Sequence, residues 1–280
     1  MGYTYMRQPM NEVKGDTVNI VRSADGTAIA YDTLGEGPAL ILVDGAMCTR
    51  STGTKPQLAG LLSAHFTVYS YDRRGRGDSG DTSPYAVQRE IDDLAALIQA
   101  AGGTADLYGH SSGGSLAMEA AVALGSQVRG LAMYEAPYND DPAARRAWGQ
   151  YISQLTEALT AGRRGDAVAA FMAHTGMPAE QIEEMRNAPF WPGMEALGPT
   201  LAYDHAAILG KDASIPRELA ARVAVLTLVM HGDASYPFMG ETARALTQAI
   251  PHAELYTLPG QDHNVSPEVL APILVQFFTS

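Results

Sequence analysis

The stretch ADLYGHSSGGSLAMEAAV, residues 105–122, constrains the fold more tightly than any other. An apolar run of strand type passes through Gly109-His110-Ser111-Ser112-Gly113 and straight on into an Ala-rich helical pattern. A backbone that turns from strand to helix this abruptly is strained at its apex. Glycines on either side of Ser111 keep side chains out of the space where helix and strand nearly touch. Such a turn exposes its serine at the end of a strand, in the context of a sheet flanked by helices.

The rest of the chain agrees with that placement. From Thr17 onward short β-like runs alternate with longer helical patterns, the rhythm of a parallel sheet covered by helices. Residues 17–21 and 27–33 read as an opening pair of strands joined at Asp25-Gly26, and residues 38–45 as a strand apolar enough to be buried on both faces. A helical stretch ends near His65, and residues 66–72 form the next strand. Residues 84–101 place Ile91, Leu94, Leu97 and Ile98 at helical spacing, with Gly102-Gly103 as the stop. Strand 105–109 and helix 112–124 lead to a strand over 128–137. Strand, helix, strand and helix then follow at 223–230, 241–250, 253–259 and 269–278. The fold class is therefore α/β, with a mostly parallel central sheet and helices on both faces.

Between Pro137 and about Ser214 the rhythm breaks into helix after helix with Gly and Pro punctuation. This predicts a helical cap, residues 137–214, inserted into a core formed by residues 1–136 and 215–280. No internal period suggests repeats.

Charge narrows the partners. A formal net charge of -12 repels nucleic acid and anionic membrane surfaces, and the pairs Arg73-Arg74, Arg145-Arg146 and Arg163-Arg164 are too scattered to track a phosphate backbone. With Cys48 as the only cysteine no intrachain disulfide can form. Residues 1–16 have neither an apolar leader nor a basic one, and Met6 stands where a myristoylation signal after Gly2 needs Ser or Thr. No apolar run approaches the roughly 18 residues of a membrane span. The expectation is a cytoplasmic protein acting on a small molecule, with no cofactor, no metal, no nucleic acid and no membrane; its oligomeric state stays open.

Three further stretches carry a resemblance. YDRRGRGDSGD at 71–81 resembles the D-x-R-G-x-G-x-S loop of serine α/β-hydrolases, and GQDHNV at 260–265 resembles the loop that presents their histidine. With SYPFM at 235–239, the chain is similar over nearly its full length to a bacterial group of that superfamily with a helical cap. The resemblance implies that Ser111 is the nucleophile, that His263 is its base, and that the amides of Ser112 and Ala46 receive the oxyanion. Where the family commonly has His-Gly this chain has Asp44-Gly45. An acidic side chain facing a developing oxyanion is harmful, so Asp44 is expected to turn away and hydrogen-bond backbone. Cys48 lacks an elbow and is read as a small packed residue. The arginine-rich loop is read as structural, with Asp72 pairing to Arg73 or Arg74. His110 and His231 are read as structural too.

The acid that orients the base is less plainly written. The family usually places it beyond the strand near 223–230, three residues past a glycine; counted from Gly232 that position holds Ser235, and Asp233 comes too early. A carboxylate so close to a strand end more often caps the turn. The same fold has a second solution, as in haloalkane dehalogenases, with the acid after the preceding strand. Here that residue is Glu135, directly after an apolar run where a lone charge would be costly. Glu135 is preferred over Asp233, with Asp140, Asp141 or no acid as further alternatives.

Several large apolar residues of the cap are expected to pack it onto the core and a few to line a pocket. Trp191, in NAPFWPGM between two prolines, is the candidate substrate contact on an irregular segment. The expected activity is hydrolysis of an ester-like bond, a carboxylester, lactone or thioester, through an acyl-enzyme. The alternatives are a carbon-carbon bond hydrolase or lyase, or a ligand-binding member without turnover.

Overall fold

A computed structural model describes residues 18–280. The readings made on the leader, Gly2 and Met6, and the first residue of the opening strand, Thr17, lie outside the described residues.

The chain alternates strand and helix as its periodicity requires. In order come β1 (Asn19–Arg22), β2 (Ala28–Leu34), β3 (Ala39–Val43), α1 (Lys55–Leu62), β4 (Thr67–Tyr71), α2 (Val87–Ala100), β5 (Ala105–His110), α3 (Ser112–Leu124) and β6 (Val128–Tyr134). A helical stretch follows, α4 (Pro142–Thr160), α5 (Arg164–His174), α6 (Ala179–Arg186), α7 (Trp191–Leu197), a π-helical turn at Ala202–Ile208, and the short α8 (Arg217–Ala220). The chain ends with β7 (Leu226–Gly232), α9 (Pro237–Ala249), β8 (Ala253–Leu258) and α10 (Pro267–Thr279).

The eight strands form one sheet in the order β1-β2-β4-β3-β5-β6-β7-β8. β1 and β2 pair antiparallel, β2 meets β4 antiparallel, and all later pairings are parallel. Alternation along the central strands sends side chains to two cores. Ile41, Leu107, Leu131 and Val229 meet Leu94, Leu97 and Ile98 of α2, Leu116 and Ala120 of α3, and Leu246 of α9. Leu40, Leu42, Tyr108, Ala132 and Met230 meet Leu58 and Leu62 of α1 and Leu270 and Leu274 of α10 on the other face. Fully burying each such leucine stabilises the fold by about 1.5–3 kcal/mol. Because the central strands run parallel, their carboxyl ends share one rim.

The helices between β6 and β7 have a small apolar core of their own, built from Val168, Met172, Met177, Ile182 and Trp191. The segment around Trp191 is not irregular. Trp191 opens α7, because Pro192 lies in the first turn, where its missing N–H is no loss. The end of the helical stretch departs from α-helical geometry, with a 3-10 turn at Gly198–Thr200 leading into the π-helical turn.

The loop after β4 also departs from expectation. Asp72 does not pair with Arg73 or Arg74; it accepts from Arg50, both the guanidinium and the backbone N–H, the latter at 2.7 Å. Arg73 reaches Glu90 through two bonds of 2.6 and 2.7 Å, and Arg74 reaches Asp93 through two of 2.7 and 2.8 Å. Glu90 and Asp93 stand three apart on one face of α2, within a helix turn of each other. Burial explains the choice, since a fully enclosed guanidinium needs a carboxylate held by a rigid element. Among the described residues no helix is long and apolar enough to cross a membrane.

His205, on the π-helical turn, is buried beside Trp148 and Phe171 and shares a 2.6 Å hydrogen bond between its Nδ1 and the Tyr151 hydroxyl. Burial, against the opposing pull of Asp204, lowers its imidazole to about 4. His110 is likewise lowered to about 4 by burial and the neighbouring His263. From the ordinary value near 6.5 down to about 4 the unfolded chain therefore binds protons that the folded chain refuses, and stability falls as pH falls. Each histidine accounts for up to roughly 3 kcal/mol. Thermal unfolding followed from pH 7 to pH 4 is expected to show a steep loss of Tm across this window, and His205→Gln to show a shallower one. A wild-type Tm that stays flat over that range would contradict the assignment.

Candidate active site

Ser111 sits where β5 gives way to α3, at φ 56° and ψ −131°. Its N–H donates to the Tyr134 carbonyl at 2.9 Å, and its carbonyl accepts from Gly114 at 2.9 Å, which locks the turn between β6 and the start of α3. The flanking glycines are steric requirements. A Cβ on Gly109 would lie 2.5 Å from the Gly114 Cα, and one on Gly113 would press into the carbonyl oxygens of Val43 and Asp44. The loop after β3 passes directly over the serine. A Cβ on Gly45 would lie 2.9 Å from the Ser111 Cβ and 3.4 Å from its Oγ.

His263 comes to the same rim on the loop between β8 and α10. Its backbone carbonyl accepts from His110 Nε2–H at 2.9 Å, and the preceding carbonyl, of Asp262, accepts from the Tyr134 hydroxyl at 2.6 Å. His110 immediately precedes Ser111 and Tyr134 immediately precedes Glu135. The histidine loop is thus pinned by the two strands that carry the other site residues.

Glu135 receives the histidine. His263 Nδ1–H donates to Glu135 Oε2 at 2.7 Å, which fixes the tautomer and leaves Nε2 with its lone pair. The same carboxylate accepts from the Gly232 N–H at 2.9 Å and the Ser235 hydroxyl at 2.8 Å. Burial alone would push this carboxyl up. The His263 hydrogen bond and charge, with Gly232 and Ser235, hold it below its ordinary value instead. Glu135 takes a φ of 51°, unusual for a side chain of its size. Among the described residues the non-glycine residues with positive φ are Met47, Ser111, Glu135 and Ala213, and the first three lie at this rim.

The competing acids are occupied elsewhere. Asp233 accepts from the Gly260 N–H at 2.6 Å and caps the turn between β8 and the histidine loop. Asp140 accepts from the Ile215 N–H at 2.9 Å and pairs with Arg217, and Asp141 caps the start of α4. Ser235, at the position where an acid was sought, donates to Glu135.

Ala46 follows Gly45 on the loop after β3, and Ser112 is the first residue of α3. Asp44 behaves differently from expectation: its carboxylate pairs with the buried ammonium of Lys55 rather than with backbone. A largely buried carboxylate needs a counter-charge, and Lys55 at the start of α1 supplies it. Cys48 donates to the Ala46 carbonyl at 3.4 Å, and burial pushes its thiol up, away from the thiolate that a nucleophile needs. Trp191 is only 5% exposed, donates from Nε1 to Glu195 at 2.8 Å and lies under the Arg186 guanidinium. It is a packing residue of the helical stretch, whose apolar cluster reaches the rim through Met47. His231 accepts or donates through Nε2 to Thr257 at 3.0 Å and lies outside the set around Ser111. Among the described residues no group of three or more His, Cys, Asp or Glu side chains is placed to hold a metal ion.

Sequence reasoning missed the partners of this site. Asp204 accepts from the Ser112 hydroxyl at 2.7 Å and lies on the distant π-helical turn, so only the rarity of a fully buried aspartate in an apolar helix could have signalled it.

Comparison with known proteins follows the same lines. The model of the alpha/beta hydrolase family matches residues 48–272. A putative carbamate hydrolase, RutD, of Azorhizobium caulinodans is 32% identical over 120 residues, which are 42% of this chain and 44% of that protein. The chain therefore spans less than half the length of that curated relative. An alpha/beta hydrolase of Sphaerobacter thermophilus is 47% identical in structure-based alignment, with TM-score 0.83 over 93% of this chain and all 100% of the other. The enol-lactonase of Burkholderia xenovorans shares the fold at 21% identity, with TM-score 0.68 over 94% of this chain and 100% of that one.

The bond from His263 to Glu135 is directly observable. Proton NMR of the folded protein is expected to show an imidazole Nδ1–H far downfield of the amide region. The signal should vanish in Glu135→Ala and persist in Asp233→Ala; its persistence in the Glu135 variant would contradict the assignment.

Proposed function

The chain belongs to the α/β-hydrolase family, and within it we propose a serine hydrolase that cleaves an ester-like bond of a small, partly apolar substrate through an acyl-enzyme. The observation that carries this reading is the strained Ser111 on its elbow, next in chain to His110, which holds the loop of a histidine whose Nδ1–H is already spoken for by a buried carboxylate.

Ser111 Oγ attacks the substrate carbonyl carbon while His263 Nε2 takes its proton. The carbonyl π electrons move to oxygen, and the N–H groups of Ala46 and Ser112 receive that oxyanion. Donors of this kind contribute about 2.7–4 kcal/mol each to the barrier reduction. Glu135 holds the ring in its tautomer and stabilises the imidazolium, which then returns the proton to the leaving group as the bond to it breaks. Water, deprotonated by His263, attacks the acyl-enzyme by the same route and releases the acid and free Ser111. Because its folded-state pKa is depressed, Glu135 stays ionised to lower pH than an ordinary glutamate.

The helices of residues 137–214 serve as a cap over this rim and shape the acyl pocket. Met47 links the apolar cluster around Trp191 to the rim, so Trp191 supports the pocket from behind. The charge of -12 supports a neutral or cationic small molecule as substrate over nucleic acid or a membrane surface, and a cytoplasmic setting suits the lone cysteine.

The likeness to a putative carbamate hydrolase favours a second reading, cleavage of a carbamate-like C–N bond. It uses the same steps, with His263 protonating the leaving nitrogen.

Incubation of the folded protein with a fluorophosphonate, followed by peptide mass spectrometry, is expected to place one adduct on Ser111 and none on Ser111→Ala. Hydrolysis of p-nitrophenyl esters should fall at least about 1,000-fold in that variant. An unmodified wild-type Ser111 would overturn the hydrolase reading.

A further inference from the structure

Two buried arginines and one aspartate from the helical insert converge on the backbone that carries the expected oxyanion donors. Arg76 Nη1–H donates to the Gly45 carbonyl at 2.6 Å, and Arg73 Nη1–H donates to the Asp44 carbonyl at 3.0 Å. The Gly45 carbonyl and the Ala46 N–H belong to one planar trans peptide, so they point in opposite directions. A guanidinium held on that oxygen therefore sets the direction of the N–H and polarises it. Both arginines are held in turn by Asp204, which accepts from Arg73 at 2.5 Å on Oδ1 and from Arg76 on Oδ2. The same Oδ1 accepts from the Ser112 hydroxyl at 2.7 Å, so Asp204 also grips the residue whose N–H is the second donor.

We infer that Asp204 and Arg76 are positioning residues that align the two oxyanion donors, and that docking of the helical insert is what completes the hole. This rests on the hydrolase reading of Ser111.

The insert is built to deliver that carboxylate with little freedom. Asp204 lies on the π-helical turn, next to Tyr203, whose ring stacks on Tyr85 at 3.9 Å and whose hydroxyl donates to Asp81 at 2.6 Å. Tyr85 in turn donates to Glu90, the second carboxylate of Arg73. All four charged groups are at most 1% exposed, and two guanidinium charges meet two carboxylates. Arg76 and Arg73 hold Asp204 down at about 2 despite its burial, so the pair of arginines stays bridged across any working pH. Removing one member leaves a charge with no partner, and the freed arginine loses the anchor that aims it at the loop.

The test separates alignment from folding by counting active sites. Asp204→Asn and the charge-conserving Arg76→Lys are each titrated with a fluorophosphonate, and kcat per labelled Ser111, KM on a p-nitrophenyl ester and Ki for a trifluoromethyl ketone are measured. Ser112→Ala, which removes only the hydroxyl that meets Asp204, is measured alongside in case the charge variants fail to fold. The expected result is a kcat per site about 10- to 100-fold lower in Asp204→Asn, with KM within about threefold and Ki rising in step with the loss in kcat/KM. Arg76→Lys should fall between it and the wild type, and Ser112→Ala should lose about 3- to 10-fold. A kcat per labelled site equal to wild type in all three would overturn the inference while leaving the hydrolase reading in place. A wild type that neither labels nor turns over would overturn the hydrolase reading, and the inference with it.

Discussion

At Gly113 the first turn of α3 lies so close to the carbonyls of Val43 and Asp44 that no side chain fits between them. This approach sets the rest of the molecule. It forces the chain through a positive φ at Ser111, and it brings the end of β3 beside the end of β5. It also delivers the N-terminus of α3, with its unpaired amides and positive dipole, to the place where negative charge would develop in acyl transfer. Parallel pairing of β3, β5, β6 and β7 then makes their carboxyl ends converge, so Glu135 arrives one strand over from Ser111 and Gly232 one strand beyond that.

Carboxylates organise the layers around this turn, and each is matched to the group it must hold. Glu135 takes three donors, a ring N–H, a backbone N–H and a hydroxyl, which lets it stay ionised while buried. Asp204 takes two guanidinium groups and a hydroxyl, and Asp44 takes Lys55. Backbone strain gathers in the same region, at Met47, Ser111 and Glu135. A surrounding network with this many directed bonds is what can sustain such conformations, each of which costs about 1–3 kcal/mol.

Much of this was legible in the sequence because it is written in local patterns. Alternating apolar runs fix strands and helices wherever one face is buried, and the glycines of the elbow leave few other conformations for residues 109–113. Glu135 could be singled out because a carboxylate directly after an apolar strand needs a partner, and the partner proved to be His263. What stayed hidden depends on contacts between distant segments. Arg73 and Arg76 belong to a loop that reads as structural with only a local partner in Asp72, until the sheet folds and Asp204, about 130 positions later, is brought onto them. Asp44 misled for the same reason, since its partner Lys55 was not visible as a buried residue. The segment at Trp191, expected to be irregular, misled in another way: a proline inside the first turn of a helix resembles a proline that breaks one.

The central claim is that Glu135, and not Asp233, orients His263 for work on Ser111. The most direct measurement is kcat/KM on an activated ester for Glu135→Gln and Asp233→Asn, each normalised to the fraction of Ser111 that reacts with a fluorophosphonate. The expected result is a loss of about 100-fold or more for Glu135→Gln, since the amide cannot stabilise the imidazolium, and less than about threefold for Asp233→Asn. Collapse of the Asp233 variant with the Glu135 variant near wild type would contradict the claim.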